Sequence, residues 1–197
     1  MTGHPEGDPS IQTFCGELPR RLVFTGFMGA GKSTVGSQVA AALGWPFIDL
    51  DEEIVLAQGA SIASLFDSIG EPAFRELESA ALASVLQRDN LVLALGGGAL
   101  ESQSNRALLS EDPATILVYL EAPLEVLFSR CERQSLSQAG AAHRPVLDDR
   151  AAATERFLRR RPFYQTAAWR IDTSGRSASE VTSAILERWE RLTADRA

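Results

Sequence analysis

Hydrophobic positions along the chain fall into short continuous runs that alternate with stretches of helical spacing. Arg21-Leu22-Val23-Phe24-Thr25 predicts a strand that runs straight into Gly26. From Lys32 onward Val35, Val39, Ala42 and Leu43 recur every three or four residues, which predicts a helix ended by Gly44. Pro46–Leu50 predicts a second short strand, and Asp51–Ala57 a helix stopped by Gly59. Ser61 suits the N-cap of a short helix through Ile69, and Pro72 suits the first turn of the next. The buried stripe expected there is Phe74, Leu77, Ala81 and Val85. Leu91–Leu95 is apolar throughout, as in a strand covered on both faces. Thr115–Leu120 predicts a fourth strand, Leu124–Cys131 a helix and Trp169–Asp172 a fifth strand. Ser177–Leu192 closes the pattern as an amphipathic helix with Val181, Ile185, Trp189 and Leu192 on one side. Strands alternating with helices predict a parallel α/β sheet. Residues 1–20 read as a flexible N-terminal tail, and Glu132–Ala142 as a mobile loop.

Composition narrows the function classes. The chain has 197 residues, 26 acidic against 19 basic, and a formal net charge of −7. That length suits one domain, expected over residues 21–197, and the acidic balance argues against general binding to nucleic acid or a membrane surface. The apolar runs are strand-sized, far below the roughly 20 residues that cross a bilayer. Met1–Ser10 holds Gly, Pro and Asp rather than a basic segment followed by an apolar one, so no secretory signal is expected. Cys15 and Cys131 supply neither a disulfide framework nor a zinc-ligand set, and a cytoplasmic location is the expectation. Lys32 is the single lysine among the 19 basic residues, which suggests a position that needs a compact ammonium rather than a planar guanidinium.

That lysine lies inside Gly26-Phe27-Met28-Gly29-Ala30-Gly31-Lys32-Ser33, which fits the G-x-x-x-x-G-K-[ST] phosphate loop between a predicted strand and a predicted helix. Glycines at this spacing let successive backbone N–H groups point at phosphate oxygens, and the following helix adds the positive end of its dipole. Lys32 is expected to bridge the β- and γ-phosphates and the Ser33 hydroxyl to ligate Mg²⁺, with Gly29, Ala30, Gly31 and Thr34 completing the ATP contacts. The motif is silent on the phosphoryl acceptor.

Other polar residues are candidates for that second role. Asp49-Leu50-Asp51 falls at the carboxyl end of the second strand, where ligands meet open α/β sheets. Strand alternation puts Asp49 and Asp51 on one side, although an N-cap aspartate followed by solvated acids explains the same residues. Arg75 and Glu78 form either an ordinary helical ion pair or part of a site. Gly96-Gly97-Gly98 after a buried strand serves either close approach of a ligand or a plain loop.

In order along the chain, several segments together resemble the shikimate kinase family. They are the phosphate loop, Phe47-Ile48-Asp49-Leu50-Asp51, Ile62-Ala63-Ser64-Leu65-Phe66, Phe74-Arg75-Glu76-Leu77-Glu78, Leu95-Gly96-Gly97-Gly98-Ala99, Arg144-Pro145-Val146-Leu147 and Arg160-Arg161-Pro162-Phe163-Tyr164. The resemblance covers about residues 20–192. It implies a three-layer P-loop fold of nucleoside-monophosphate-kinase type, with a five-stranded parallel sheet of order 2-3-1-4-5 and a mobile lid at about residues 132–148. It further implies ATP-dependent phosphorylation of the shikimate 3-hydroxyl, a step of aromatic amino-acid biosynthesis, by a monomer with Mg²⁺.

Carried over by position, Asp51 holds and orients or deprotonates the attacking hydroxyl, and Asp49 holds Mg²⁺ through water. Arg75 and Arg160 bind the carboxylate, with the Gly97 backbone beside it and Glu78 steadying Arg75. Arg144 on the lid reaches the transferring phosphate, and Arg130 lies against the adenine. Arg160 belongs to the run Arg159–Arg161, for which a solvated basic face is the alternative. The segment between Arg130 and Arg144 looks longer than usual for the family, and Arg-Pro-Val-Leu replaces the usual Arg-Pro-Leu-Leu. Two other functions stay open at this level: a kinase for another hydroxy acid such as gluconate, and a non-catalytic ligand-sensing module on the same fold.

Overall fold

The computed structural model describes residues 18–137 and 149–194. Five parallel strands form one sheet in the order β2-β3-β1-β4-β5. They are β1 (Arg21–Thr25), β2 (Phe47–Asp49), β3 (Leu91–Ala94), β4 (Thr115–Glu121) and β5 (Trp169–Asp172). The helices are α1 (Lys32–Leu43), α2 (Leu50–Gln58), α3 (Ile62–Val85), α4 (Gln103–Glu111), α5 (Leu124–Ser137), α6 (Arg150–Tyr164) and α7 (Ala178–Ala194). The sheet order and the layered α/β architecture are those expected from the sequence.

Both faces of the sheet are covered. Every residue of β1 and β3 is buried, which is why Leu91–Ala94 has no polar alternation. Around these strands the core gathers Val35 and Val39 of α1, Leu82 and Val85 of α3, Phe128 of α5 and Val181 and Ile185 of α7. Trp45 and Trp189 meet edge to face at 5.1 Å, tying the end of α1 to α7.

Helix ends follow the local chemistry read from the sequence. Gly44 ends α1 at φ 68°, and the Trp45 N–H reaches back to the Ala40 carbonyl at 2.9 Å. The Ser61 hydroxyl accepts from the Ser64 N–H and caps α3. Gly70 (φ 78°, ψ 167°) breaks α3 just before Pro72, so the two helices expected on either side of that point are present as arms of one broken element.

Four local expectations change. The Asp49 side chain accepts from the Asp51 N–H at 3.1 Å, so α2 starts at Leu50 and the second strand stops earlier than its apolar pattern suggests. Asp51 therefore sits in the first turn of a helix, not on the strand beside Asp49. Helix α5 runs on to Ser137, past the expected end at Cys131. The buried stripe of α3 contains Glu78, 1% exposed, whereas the neighbouring Leu77 is only half-buried. Helices α4 and α6 are additions, because their apolar positions are sparse: only Asn105 and Leu109 are buried in α4, and Ala153, Phe157 and Tyr164 in α6.

The parallel register puts the strand ends that matter on one edge. Phe24 of β1 and Asp49 of β2 both pair with Ala94 of β3, so the segments that follow these three strands emerge side by side. No helix among the described residues is long and apolar enough to cross a membrane.

At the opposite end Arg21 locks the bottom of the sheet. Its side chain, 8% exposed, donates to Asp89 and Asp112 at 2.8 Å each, and its Nε donates to the Arg88 carbonyl at 2.8 Å. Replacing it (Arg21→Leu) leaves the Arg88 carbonyl without that donor and takes the counter-charge from Asp112, which keeps the Thr115 hydroxyl and the Ala114 N–H. The expected cost is about 2 kcal/mol of stability, read as a lower urea midpoint, with substrate KM values unchanged because the site lies at the other edge.

Candidate active site

The segment Gly26–Ser33 joins β1 to α1 and wraps the start of that helix. Gly31 at φ 94° is its N-cap, and Gly29 at φ 74° could not carry a Cβ, which would lie 2.5 Å from the Leu127 carbonyl oxygen. Lys32 Nζ is held over the loop by the Gly26 and Phe27 carbonyls at 2.9 and 3.3 Å. No acidic residue occupies the first turn of α1, so the positive end of that helix faces the loop without an internal counter-charge.

Ser33 and Asp49 meet across this loop. The Ser33 hydroxyl donates to Asp49 Oδ2 at 2.8 Å while Asp49 Oδ1 caps α2. The N-cap reading of Asp49 holds through Oδ1, and Oδ2 is turned to Ser33. A hydroxyl and a carboxylate oxygen are the hard donors that suit Mg²⁺, which usually takes one or two protein oxygens and completes its shell with phosphates and water. Among the described residues no group of three or more His, Cys, Asp or Glu forms a closed metal cage, so the donor set fits a metal that arrives with phosphate.

Beside the phosphate loop lies a cleft lined by Gly29, Gly31, Thr34, Arg130 and residues after β5, notably Thr173 and Arg176. Arg130 donates to the Thr173 hydroxyl at 2.8 Å and to the Thr173 carbonyl, which fixes its guanidinium against that wall. Thr173 and Arg176 were not expected from the sequence. Their only signal was position, immediately after the carboxyl end of a parallel strand.

Gly96, Gly97 and Gly98 form the floor of the second half of the site. None of the three has a positive φ, so backbone freedom is not the reason for them. At Gly96 and Gly98 the reason is space, whereas a Cβ at Gly97 would make only ordinary contacts. A Cβ at Gly96 would lie 2.6 Å from Asp51 Oδ1 and 3.1 Å from Glu78 Oε1. At Gly98 it would lie 2.5 Å from Arg75 Nη2, and at Gly97 3.6 Å from Arg160 Nη1. Each glycine therefore has a different site residue as its neighbour, and Asp51, Arg75 and Arg160 converge over one short turn. The Tyr164 hydroxyl, another group without an assigned role, donates to the Gly97 carbonyl at 2.5 Å and holds that turn from below.

Charge is concentrated and mostly compensated here. Arg75 donates to Glu78 at 2.8 Å and to the more exposed Glu71 at 3.1 Å. Burial, followed by repulsion from Asp49, lifts the Asp51 carboxyl above its usual range, against the pull of Lys32 and Arg75. Burial also raises Glu78, and Arg75 offsets only part of that. Glu101, in the turn after Gly98, contacts Arg160 Nε at 2.7 Å, Arg159 Nε at 2.9 Å and Arg75 Nη2 at 3.9 Å. Arg160 is mostly buried beside Gly97, whereas Arg159 is more than half exposed. Arg144 lies outside the described residues.

The phosphate loop, Asp51 and the Arg75 and Arg160 guanidiniums thus lie around the glycine turn. Comparison with known proteins gives the family. The family model described as shikimate kinase matches residues 28–190. The chain belongs to the shikimate kinase family. A shikimate kinase from Salinibacter ruber is 42% identical over 175 residues, covering 86% of this chain and 84% of that relative. The Persephonella marina shikimate kinase is 37% identical, covering 86% and 98%. Among solved structures, the Acinetobacter baumannii shikimate kinase in complex with shikimate has a TM-score of 0.76 at 32% identity, over 90% of this chain and 95% of that one. A gluconokinase from Sinorhizobium meliloti reaches 0.59 at 20% identity over 91% and 97%, a likeness of fold alone.

The buried Arg75–Glu78 pair predicts a pH signature. In Arg75→Met, Glu78 loses its counter-charge, and its folded-state pKa rises further above the unfolded value. The folded state then holds a proton that the unfolded chain has already lost, so stability falls as pH rises through that interval. A destabilisation of about 3 kcal/mol is expected at pH 8, with much of it recovered at pH 5, by urea unfolding at the two values. Equal losses at both would show that Glu78 is not a buried carboxylate dependent on Arg75.

Proposed function

We propose that this chain catalyses ATP-dependent phosphorylation of the shikimate 3-hydroxyl, with Asp51 as the general base and Arg75 and Arg160 as the carboxylate clamp. The observation that carries this reading is the convergence of Asp51, Arg75 and Arg160 on Gly96–Gly98 beside the phosphate loop. Two guanidiniums are the natural partners of a planar carboxylate, which they bind through forked donors. Held that way, a ring acid with a hydroxyl two ring carbons from the carboxyl-bearing carbon presents that hydroxyl to Asp51.

Asp51 takes the hydroxyl proton as the oxygen attacks the γ-phosphorus. The bond to the β,γ-bridging oxygen breaks and ADP leaves. Lys32 moves from the loop carbonyls to the phosphates, where its charge offsets that on the transferring group, and the loop amides hold the β-phosphate in line. Ser33 and Asp49 would hold Mg²⁺, which would neutralise charge on the phosphates when bound. Arg130 flanks the adenine, and Arg144, outside the described residues, is assigned to the transferring phosphoryl group. The raised pKa of Asp51 suits a base that must take a proton near neutral pH and release it afterwards. A monomeric, cytoplasmic enzyme is the setting we assign to it.

A coupled ADP-release assay with Mg²⁺-ATP tests the reading. ADP production should require shikimate and fail with gluconate. Asp51→Asn should lower kcat by about 100-fold or more while leaving the KM for ATP nearly unchanged. Because Asp51 works ionised and its pKa is raised, kcat/KM for shikimate should fall as pH drops through a midpoint above the ordinary aspartate range. No shikimate-dependent turnover, or an Asn variant of normal activity, would end the proposal.

A further inference from the structure

Glu101 is a carboxylate set inside the arginine cluster, on the turn that directly follows Gly98. Its side chain is 21% exposed, and both of its oxygens are occupied: Oε1 by Arg159 Nε at 2.9 Å and Oε2 by Arg160 Nε at 2.7 Å. Oε2 is also the atom 3.9 Å from Arg75 Nη2. One oxygen thus faces both guanidiniums assigned to the acceptor carboxylate, although they come from different helices, α3 and α6.

We propose that Glu101 is a positioning residue that sets the orientation and spacing of Arg160 and Arg75 and thereby determines affinity for the carboxylate of the acceptor. The contact with Arg160 uses Nε, the inner edge of the guanidinium. That leaves the terminal nitrogens facing the floor, with Nη1 3.6 Å from where a Gly97 Cβ would sit. A guanidinium held by its inner edge keeps its outer fork available for a second carboxylate. Glu101 also screens the mutual repulsion of two cations that must converge. Burial pulls its carboxyl pKa upward, but Arg160 and Arg159 outweigh this and hold it below the usual range, so the anion persists at neutral pH.

The inference rests on the proposed function, and steady-state kinetics of the full-length chain separates the two. If the wild-type protein shows no shikimate-dependent ADP release, the functional reading fails. If it does, Glu101→Ala should raise the KM for shikimate about tenfold, the loss of one charge-assisted contact, with kcat and the KM for ATP within about twofold. Glu101→Gln, which keeps the shape and one acceptor oxygen, should fall between the two proteins. The preference for shikimate over its methyl ester should narrow in Glu101→Ala, a readout that a purely structural role would not move. An unchanged shikimate KM in both variants would overturn the proposal. So would a lowered KM, because that would make Glu101 a competitor for the arginines.

Discussion

The close approach of Asp51 and Arg75 depends on two positions that have no side chain. Gly96 and Gly98 follow a β-strand buried in the sheet, and the space a methyl group would fill is taken by Asp51 and Glu78 at Gly96 and by Arg75 at Gly98, while Arg160 lies in ordinary contact distance of Gly97. A side chain at Gly96 or Gly98 would force Asp51, Glu78 or Arg75 to shift. Positioning is most of what a phosphoryl-transfer enzyme must supply, so this exclusion of side chains is a catalytic constraint before it is a structural one.

The rest of the molecule serves that edge. Parallel pairing of β2, β3 and β1 aligns the segments that carry Asp49, the glycine turn and the phosphate loop. Arg75 could not stay in place unaided, so α3 gives up an apolar position to Glu78, buried on the helix face that otherwise packs the core. Tyr164 holds the turn through the Gly97 carbonyl, and Glu101 on that turn holds Arg160. Arg75 is thus paired with Glu78, and Arg160 with Glu101.

Much of this was legible in the sequence, for physical reasons. The phosphate loop is local: its glycines, lysine and serine are adjacent in the chain, and the strand before and helix after follow from hydrophobic period. The caps at Ser61 and Gly44 were equally local. What the sequence could not decide was anything that depends on distant partners. Arg75–Glu78 reads as an ordinary surface pair until the burial of Glu78 is known. Gly96–Gly98 reads as flexibility until its neighbours are. The start of α2 at Leu50 turned on which group the Asp49 oxygen would accept from, and α6 was hidden because its buried face is built from Ala153, Phe157 and Tyr164 among arginines. Glu101 and Thr173 had no signal beyond lying just after strand ends.

A crystal structure of the chain with ADP and shikimate tests the central claim most directly. The account predicts the shikimate carboxylate between the guanidiniums of Arg75 and Arg160, above Gly97, with a ring hydroxyl within hydrogen-bonding distance of the Asp51 carboxylate and directed at the phosphate loop. A carboxylate bound elsewhere, or a ring whose hydroxyls face away from Asp51, would contradict it.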